Sequence, residues 1–145
     1  MYGIKRQLPE ALVKKIREFF TDYPQVAAVY LFGSYGTEYQ LPTSDLDLGV
    51  VFVEDPTFKE VLAIDAELTS FLHTDRIDLI NLNQAPLSLQ YRVLREGVLL
   101  LENNYLVNSN FIEKVTKYYW DYSISHRKFM QDYEASLKEA YSNGR

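Results

Sequence analysis

The sequence predicts an α/β (α+β) domain: a small mixed β-sheet flanked by helices, followed by a C-terminal helical tail. Three observations lead there. Stretches with helical apolar spacing alternate with short β-branched runs, in the order helix–strand–strand–helix–strand–helix–strand–helix. The chain has 145 residues, 47% of them hydrophobic and 24% charged, which is one domain with a proper core. The first two strands are separated by about a dozen residues, too many for a tight hairpin.

Each element has a local cause. Leu8 to Phe20 reads as a helix because Leu8, Leu12, Val13, Ile16, Phe19 and Phe20 share one face, with Pro9 near its start. Asp22-Tyr23-Pro24 ends it, since the residue before a proline avoids the helical region. Val26 to Phe32 is a near-continuous apolar run, the pattern of a strand covered on both faces. A turn at Gly33 and a loop through Pro42 lead to a second strand, Asp45 to Val53. Glu54-Asp55-Pro56 breaks it. Thr57 to Leu72 is amphipathic through Phe58, Val61, Leu62, Leu68, Phe71 and Leu72, with Asp65 off the pattern. Arg76 to Leu82 is a third strand, with Arg76, Asp78 and Ile80 on one face. Pro86 to Glu96 is a helix closed by Gly97, and Val98 to Leu101 a short strand at or near an edge. From Asn110 to Tyr141 the period is helical again, with a break or kink expected at Ser123-Ile124-Ser125. The chain divides into a unit over residues 1–107 and a helical extension over 108–145.

Composition narrows the function. The formal net charge is −5, with Lys and Arg scattered and outnumbered, so direct nucleic-acid binding is disfavoured. No apolar run reaches the length that crosses a bilayer, and the N-terminal stretch lacks a secretory apolar core. There are no cysteines, hence neither disulfides nor a thiolate metal site. The expected location is the cytoplasm, with no membrane partner.

The chemistry is concentrated between Gly33 and Asp47 (G-S-Y-G-T-E-Y-Q-L-P-T-S-D-L-D). Alternate strand residues share a face, so Asp45 and Asp47 lie on one side, their Cα atoms roughly 6.6 Å apart. Two carboxylates this close repel unless a cation separates them, and Asp is disfavoured in strands. The pattern suits Mg²⁺, which binds through one or two carboxylates plus substrate phosphates. Gly33 permits a sharp turn and close approach of a phosphate. A short helix beginning at Ser34 would add free N–H groups, and the Ser34 hydroxyl can donate to a phosphate oxygen. Gly36 is a second flexible point. No Gly-Lys-Ser/Thr follows, so this is not a Walker-type loop. Asp-x-Asp alone equally describes a solvated acidic strand end, and Gly-Ser alone is ordinary turn chemistry. Together, at this spacing and between two apolar strands, they describe a nucleotide-handling site.

These residues resemble the signature of the minimal nucleotidyltransferases, within the DNA polymerase β-type nucleotidyltransferase superfamily. In particular, the chain resembles the antitoxin partners of HEPN-type ribonuclease toxins. The resemblance takes in the apolar strand before Gly33, the strand with Asp78, the stretch Tyr91-Arg92-Val93-Leu94-Arg95-Glu96-Gly97 and, weakly, Tyr118-Tyr119-Trp120-Asp121-Tyr122. One departure is that Glu38 stands where many members have glycine, and Gly36 where they often have alanine.

The resemblance implies a nucleotidyltransferase fold with a twisted sheet and the active site at one end. It implies Asp45, Asp47 and Asp78 as catalytic residues holding two Mg²⁺ ions, with Asp78 also accepting the attacking hydroxyl's proton. Gly33 and Ser34 would bind the phosphates of ATP. The implied reaction moves AMP from ATP to a tyrosine hydroxyl of a HEPN-type ribonuclease toxin, neutralising it. The alternatives are neutralisation by binding alone and transfer to a small hydroxylated molecule.

Other residues carry weaker signals. Asp78 in an apolar strand could instead pair with Arg76 or lie at the surface. His73 and His126 are isolated and make no metal site, and neither has an arginine five to seven residues before it, unlike the ribonuclease half of such a pair. Arg92 and Arg95 could reach a triphosphate or merely solvate a helix. The tyrosines at 118, 119, 122, 133 and 141, with Trp120, spread more widely than one buried stripe needs and are core or docking surface.

Overall fold

The computed structural model describes residues 6–143. The elements run α1 (Glu10–Thr21), β1 (Val26–Phe32), β2 (Leu46–Phe52), α2 (Phe58–Leu72), β3 (Ile77–Asn81), α3 (Leu87–Glu96), β4 (Val98–Glu102) and α4 (Tyr105–Asn143), with a 3₁₀ turn at Leu82–Gln84. The strands form one mixed sheet in the order β3-β2-β1-β4. β1 pairs antiparallel with both β2 and β4, while β2 and β3 are parallel, joined by the α2 crossover. The expected mixed sheet flanked by helices is therefore the observed one, with β4 on an edge.

Helices cover both faces. Ile16 and Phe20 of α1 and Ile64 and Leu68 of α2 pack on Leu46, Leu48, Val50 and Phe52 of β2. On the other face Val93 of α3 and Val107 and Phe111 of α4 cover Tyr30, Phe32, Val51 and Leu82. β1, caught between the two layers, is buried along its whole length. Its alternation slips where the register with β2 shifts between Val26 and Ala28, so Ala27 and Ala28 both join the α3–α4 side. Asn103, in the turn after β4, donates through Nδ2 to the carbonyls of Phe20 (2.9 Å), Tyr23 (3.3 Å) and Val26 (3.1 Å), tying β4 to the end of α1.

Three local expectations are corrected. No helix starts at Ser34; residues 33–39 are turns and bends, because Thr37 N–H and its hydroxyl both close onto the Ser34 carbonyl (3.0 and 2.6 Å). Gly97 ends α3 in extended conformation (φ −82°) rather than left-handed; a Cβ there would sit 2.4 Å from the Val93 carbonyl oxygen and 2.9 Å from that of Leu31. The break at Ser123–Ser125 does not occur, and α4 runs unbroken for 39 residues. The Ser123 hydroxyl donates to the Trp120 carbonyl at 2.9 Å, so the serine is satisfied inside the helix.

α4 begins at Tyr105, with Asn108 and Val115 buried. Tyr119 stacks on Tyr91 of α3, ring centroids 3.7 Å apart. Beyond it, Trp120, Tyr122, Phe129, Tyr133 and Tyr141 are exposed. Among the described residues, no helix is long and apolar enough to cross a membrane.

Candidate active site

β1 delivers Gly33 and β2 delivers Asp47 to the same end of the sheet, because Phe32 pairs with Asp47 across the antiparallel ladder. The contact is intimate. Gly33 adopts φ +76°, and a Cβ built on it would lie 2.1 Å from Asp47 Oδ2. Glycine is thus required twice, for the left-handed turn and for the space the carboxylate fills. Asp78 sits level with Asp47 in the parallel β2–β3 register. Same-level Cα atoms on neighbouring strands lie about 4.8 Å apart. Asp45 stands just ahead of β2. Asp45 and Asp78 are exposed and Asp47 is half-buried.

The electrostatics follow from this crowding. Burial pushes the Asp47 carboxyl above the usual carboxylate range, and the charges of Asp78 and then Asp45 push it the same way. Arg6 and Arg92 oppose them. Asp65 of α2 is also held above its ordinary value, first by burial and then by Asp78, and its Oδ1 is buried with no partner among the described residues. The Arg76 guanidinium donates to the Pro42 carbonyl, so Asp78 is not its ion-pair partner. Arg92 pairs with Glu96 at 3.3 Å on an exposed surface, and Arg95 with Glu96 at 3.9 Å.

The 33–45 connection is stitched by its own polar groups. Ser34 Oγ donates to Ser44 Oγ (3.1 Å), which also accepts the Leu41 N–H (2.8 Å). Gly36, at φ +77°, donates its N–H to Gln40 Oε1 at 2.7 Å. Five sequence-predicted residues, Gly33, Ser34, Asp45, Asp47 and Asp78, therefore occupy one end of the sheet. Two participants carry no sequence expectation. Ser44 holds the Ser34 hydroxyl, and its adjacency to Asp45 is the signal that could have drawn attention to it. Arg6 donates to the Tyr35 carbonyl at 2.8 Å, and its charge opposes the rise in the Asp47 pKa. No periodicity points to it.

Three kinds of comparison bear on this arrangement. The family described as "Polymerase beta, Nucleotidyltransferase" matches residues 14–106, which run from within α1 to the start of α4. This chain belongs to that nucleotidyltransferase family. A candidate protein adenylyltransferase of Methanocaldococcus jannaschii is 32% identical over 77 residues, covering 53% of this chain and 87% of that protein. Among solved structures, a toxin–antitoxin complex with AMP-PNP superposes with a TM-score of 0.67 at 24% identity, covering 84% of this nucleotidyltransferase and 98% of the other chain. An MntA–HepT toxin–antitoxin structure gives 0.64 at 21% identity, covering 87% and 99%. A complex of an MNT antitoxin with a tri-AMPylated HEPN toxin of Shewanella oneidensis gives 0.59 at 22%, covering 86% and 93%. At such identities these three establish a shared fold for the nucleotidyltransferase.

The residues present suit a divalent ion. All candidate donors are hard carboxylate oxygens, and a cation would offset both the burial and the neighbouring charges of Asp78 and Asp45 that hold the Asp47 carboxyl up. Among the described residues, no three acidic or histidine side chains close around a point on their own. Mg²⁺ needs few protein carboxylates, because water and substrate phosphate complete its shell.

Proposed function

We propose that this nucleotidyltransferase is an antitoxin that transfers AMP from ATP to a tyrosine hydroxyl of a partner protein, a HEPN-type ribonuclease toxin, and so silences it. The observation that carries the reading is the contact between Gly33 and Asp47, which joins the phosphate turn to the carboxylates at one end of the sheet. The adenylyltransferase relative and the AMP-PNP and AMPylated-toxin complexes support the choice of nucleotide and acceptor. The division into a transferase unit (1–107) and a helical extension (108–145) belongs to the same proposal; residues 1–5 and 144–145 lie outside the described structure.

In this reading Asp45, Asp47 and Asp78 hold Mg²⁺, two ions in all. When bound, the ions neutralise charge on the phosphates and on the attacking and leaving oxygens. The turn N–H groups at Gly33 and Ser34, with the Ser34 hydroxyl rotated away from Ser44, hold the β- and γ-phosphates. The acceptor oxygen bonds to the α-phosphorus, the bond from that phosphorus to the bridging oxygen breaks, and pyrophosphate leaves. Asp78, exposed at the outer side, takes the hydroxyl proton. The remaining work is orientation of the two reactants.

The exposed aromatic residues of α4 favour a second reading, in which the chain neutralises its partner by masking it. One experiment separates the two. The chain and its genetic-neighbour protein are incubated with ATP and Mg²⁺, and the neighbour's intact mass is measured. A gain of one or more AMP units is expected. Asp47→Asn should lower transfer more than about 10²-fold, the value of several kcal/mol of metal stabilisation. A stably folded Asp47→Asn variant that still suppresses the toxin fully in cells would defeat the catalytic account.

A further inference from the structure

We propose that Arg6 is a positioning residue for the phosphate turn: its guanidinium bridges the Tyr35 carbonyl in the turn and the Glu96 carbonyl at the end of α3, locking the turn in its nucleotide-receiving shape. The proposal rests on the reading of Gly33–Gly36 as the triphosphate cradle.

The bridge has two anchored ends, Nη1 to Tyr35 O at 2.8 Å and Nη2 to Glu96 O at 3.3 Å. A planar fork suits two separated acceptors, where an ammonium would serve one. The next residue repeats the attachment, with Gln7 N–H donating to the Gly36 carbonyl at 2.8 Å. Contact continues without slack. A Cβ on Gly36 would lie 2.8 Å from Leu8 Cδ2 and 2.9 Å from the Gln7 carbonyl oxygen. Residues 6–8 thus form a strap across the turn.

The turn's other bonds, Thr37 to Ser34, Gly36 to Gln40 and Ser34 to Ser44, are local. They shape the loop without attaching it to the α3 layer. Arg6 supplies that attachment. A peptide's carbonyl and N–H point opposite ways. Drawing the Tyr35 carbonyl onto Arg6 therefore turns the Gly36 N–H outward, where the exposed Gln40 side chain accepts it.

Arg6 acts through the turn rather than on the phosphate. Each terminal nitrogen gives one N–H to a backbone carbonyl, and Nε is buried without a partner among the described residues. Burial also opposes the charge, while Glu96 and Asp47 favour it. A strap needed for cohesion alone would be cheaper with an apolar side chain, so a half-buried guanidinium here points to precise placement.

The test uses Arg6→Met, which keeps the stem and removes both bonds, with Arg6→Lys and Gly36→Ala beside it. In the nucleotide-free protein, amide exchange at residues 34–37 should accelerate at least about tenfold in Arg6→Met, while β1 and β2 amides keep their protection. The KM for ATP and the dissociation constant of a non-hydrolysable ATP analogue should both rise about tenfold, the scale of one lost charge-assisted hydrogen bond, with kcat changed less than about threefold. Arg6→Lys should restore part of the affinity. Gly36→Ala, which pushes the strap off from the other side, should reproduce the exchange. Unchanged exchange in the turn would overturn the proposal, as would a lower Tm with unaltered KM and analogue affinity. A wild-type chain that transfers no nucleotide would instead overturn the functional reading, and the exchange measurements would still decide the role of Arg6.

Discussion

Replacing Gly33 by alanine tests the contact on which the site is built. The substitution forces a side chain into φ +76° and places a Cβ 2.1 Å from Asp47 Oδ2. The left-handed conformation costs about 1–2 kcal/mol. Turning the Asp47 side chain off its rotamer to make room costs about 0.5–1.5 kcal/mol more. A total of about 2–3 kcal/mol corresponds to a Tm lower by about 4–12 °C in a chain of this size. Restoring an ordinary contact requires the carboxylate to retreat by more than about 1 Å, and misplacement on that scale costs about 10²-fold in rate. Thermal unfolding followed by circular dichroism and transfer followed by intact mass measure the two effects separately. Wild-type transfer by Gly33→Ala would refute the reasoning, whatever the Tm, because it would mean that Asp47 can leave its place without consequence.

Asp65 makes a pH prediction. Its folded-state pKa is raised by burial and by Asp78, so its favourable contribution is complete below the ordinary aspartate value and is lost as pH rises through the raised one. In EDTA, Asp65→Asn should therefore be more stable than wild type at neutral pH, with the difference closing on acidification; a less stable variant at neutral pH would contradict this. Asn103→Ala removes the donor to the Phe20, Tyr23 and Val26 carbonyls and should destabilise the protein by about 2–3 kcal/mol in urea titration. A non-hydrolysable ATP analogue with Mg²⁺, at about 100 times its dissociation constant, should stabilise the fold by about 2.7 kcal/mol. EDTA or Asp47→Asn should remove most of that gain in a thermal-shift assay.

Much of the architecture is legible because it is local. The β1 run Val26 to Phe32 and the existence of α2 follow from neighbouring residues, although the buried face of α2 centres on Ile64 and Leu68 while Phe58, Leu62 and Phe71 of the expected face are exposed. That Gly33 and Asp47 belong to one site follows from the motif and the resemblance, whereas the antiparallel register that brings them into contact is set by long-range pairing and leaves no periodicity in the chain. Arg6 was not readable, because its acceptors lie 29 and 90 residues away and leave no spacing in the chain. α4 is continuous where the sequence predicts a break. A serine marks a helix break only when its hydroxyl competes for the backbone from outside, and Ser123 bonds within its own turn.

α4 extends 24 residues past Tyr119, whose ring stacks on Tyr91, to Asn143, and at 1.5 Å per residue that is a spar of roughly 36 Å. A metabolite has no use for such reach, whereas a folded protein moored along it could be held while one of its side chains is presented elsewhere. A helix end exposed at every residue from 124 to 142 also unravels readily, so mooring should register as added helical ellipticity before any covalent change takes place.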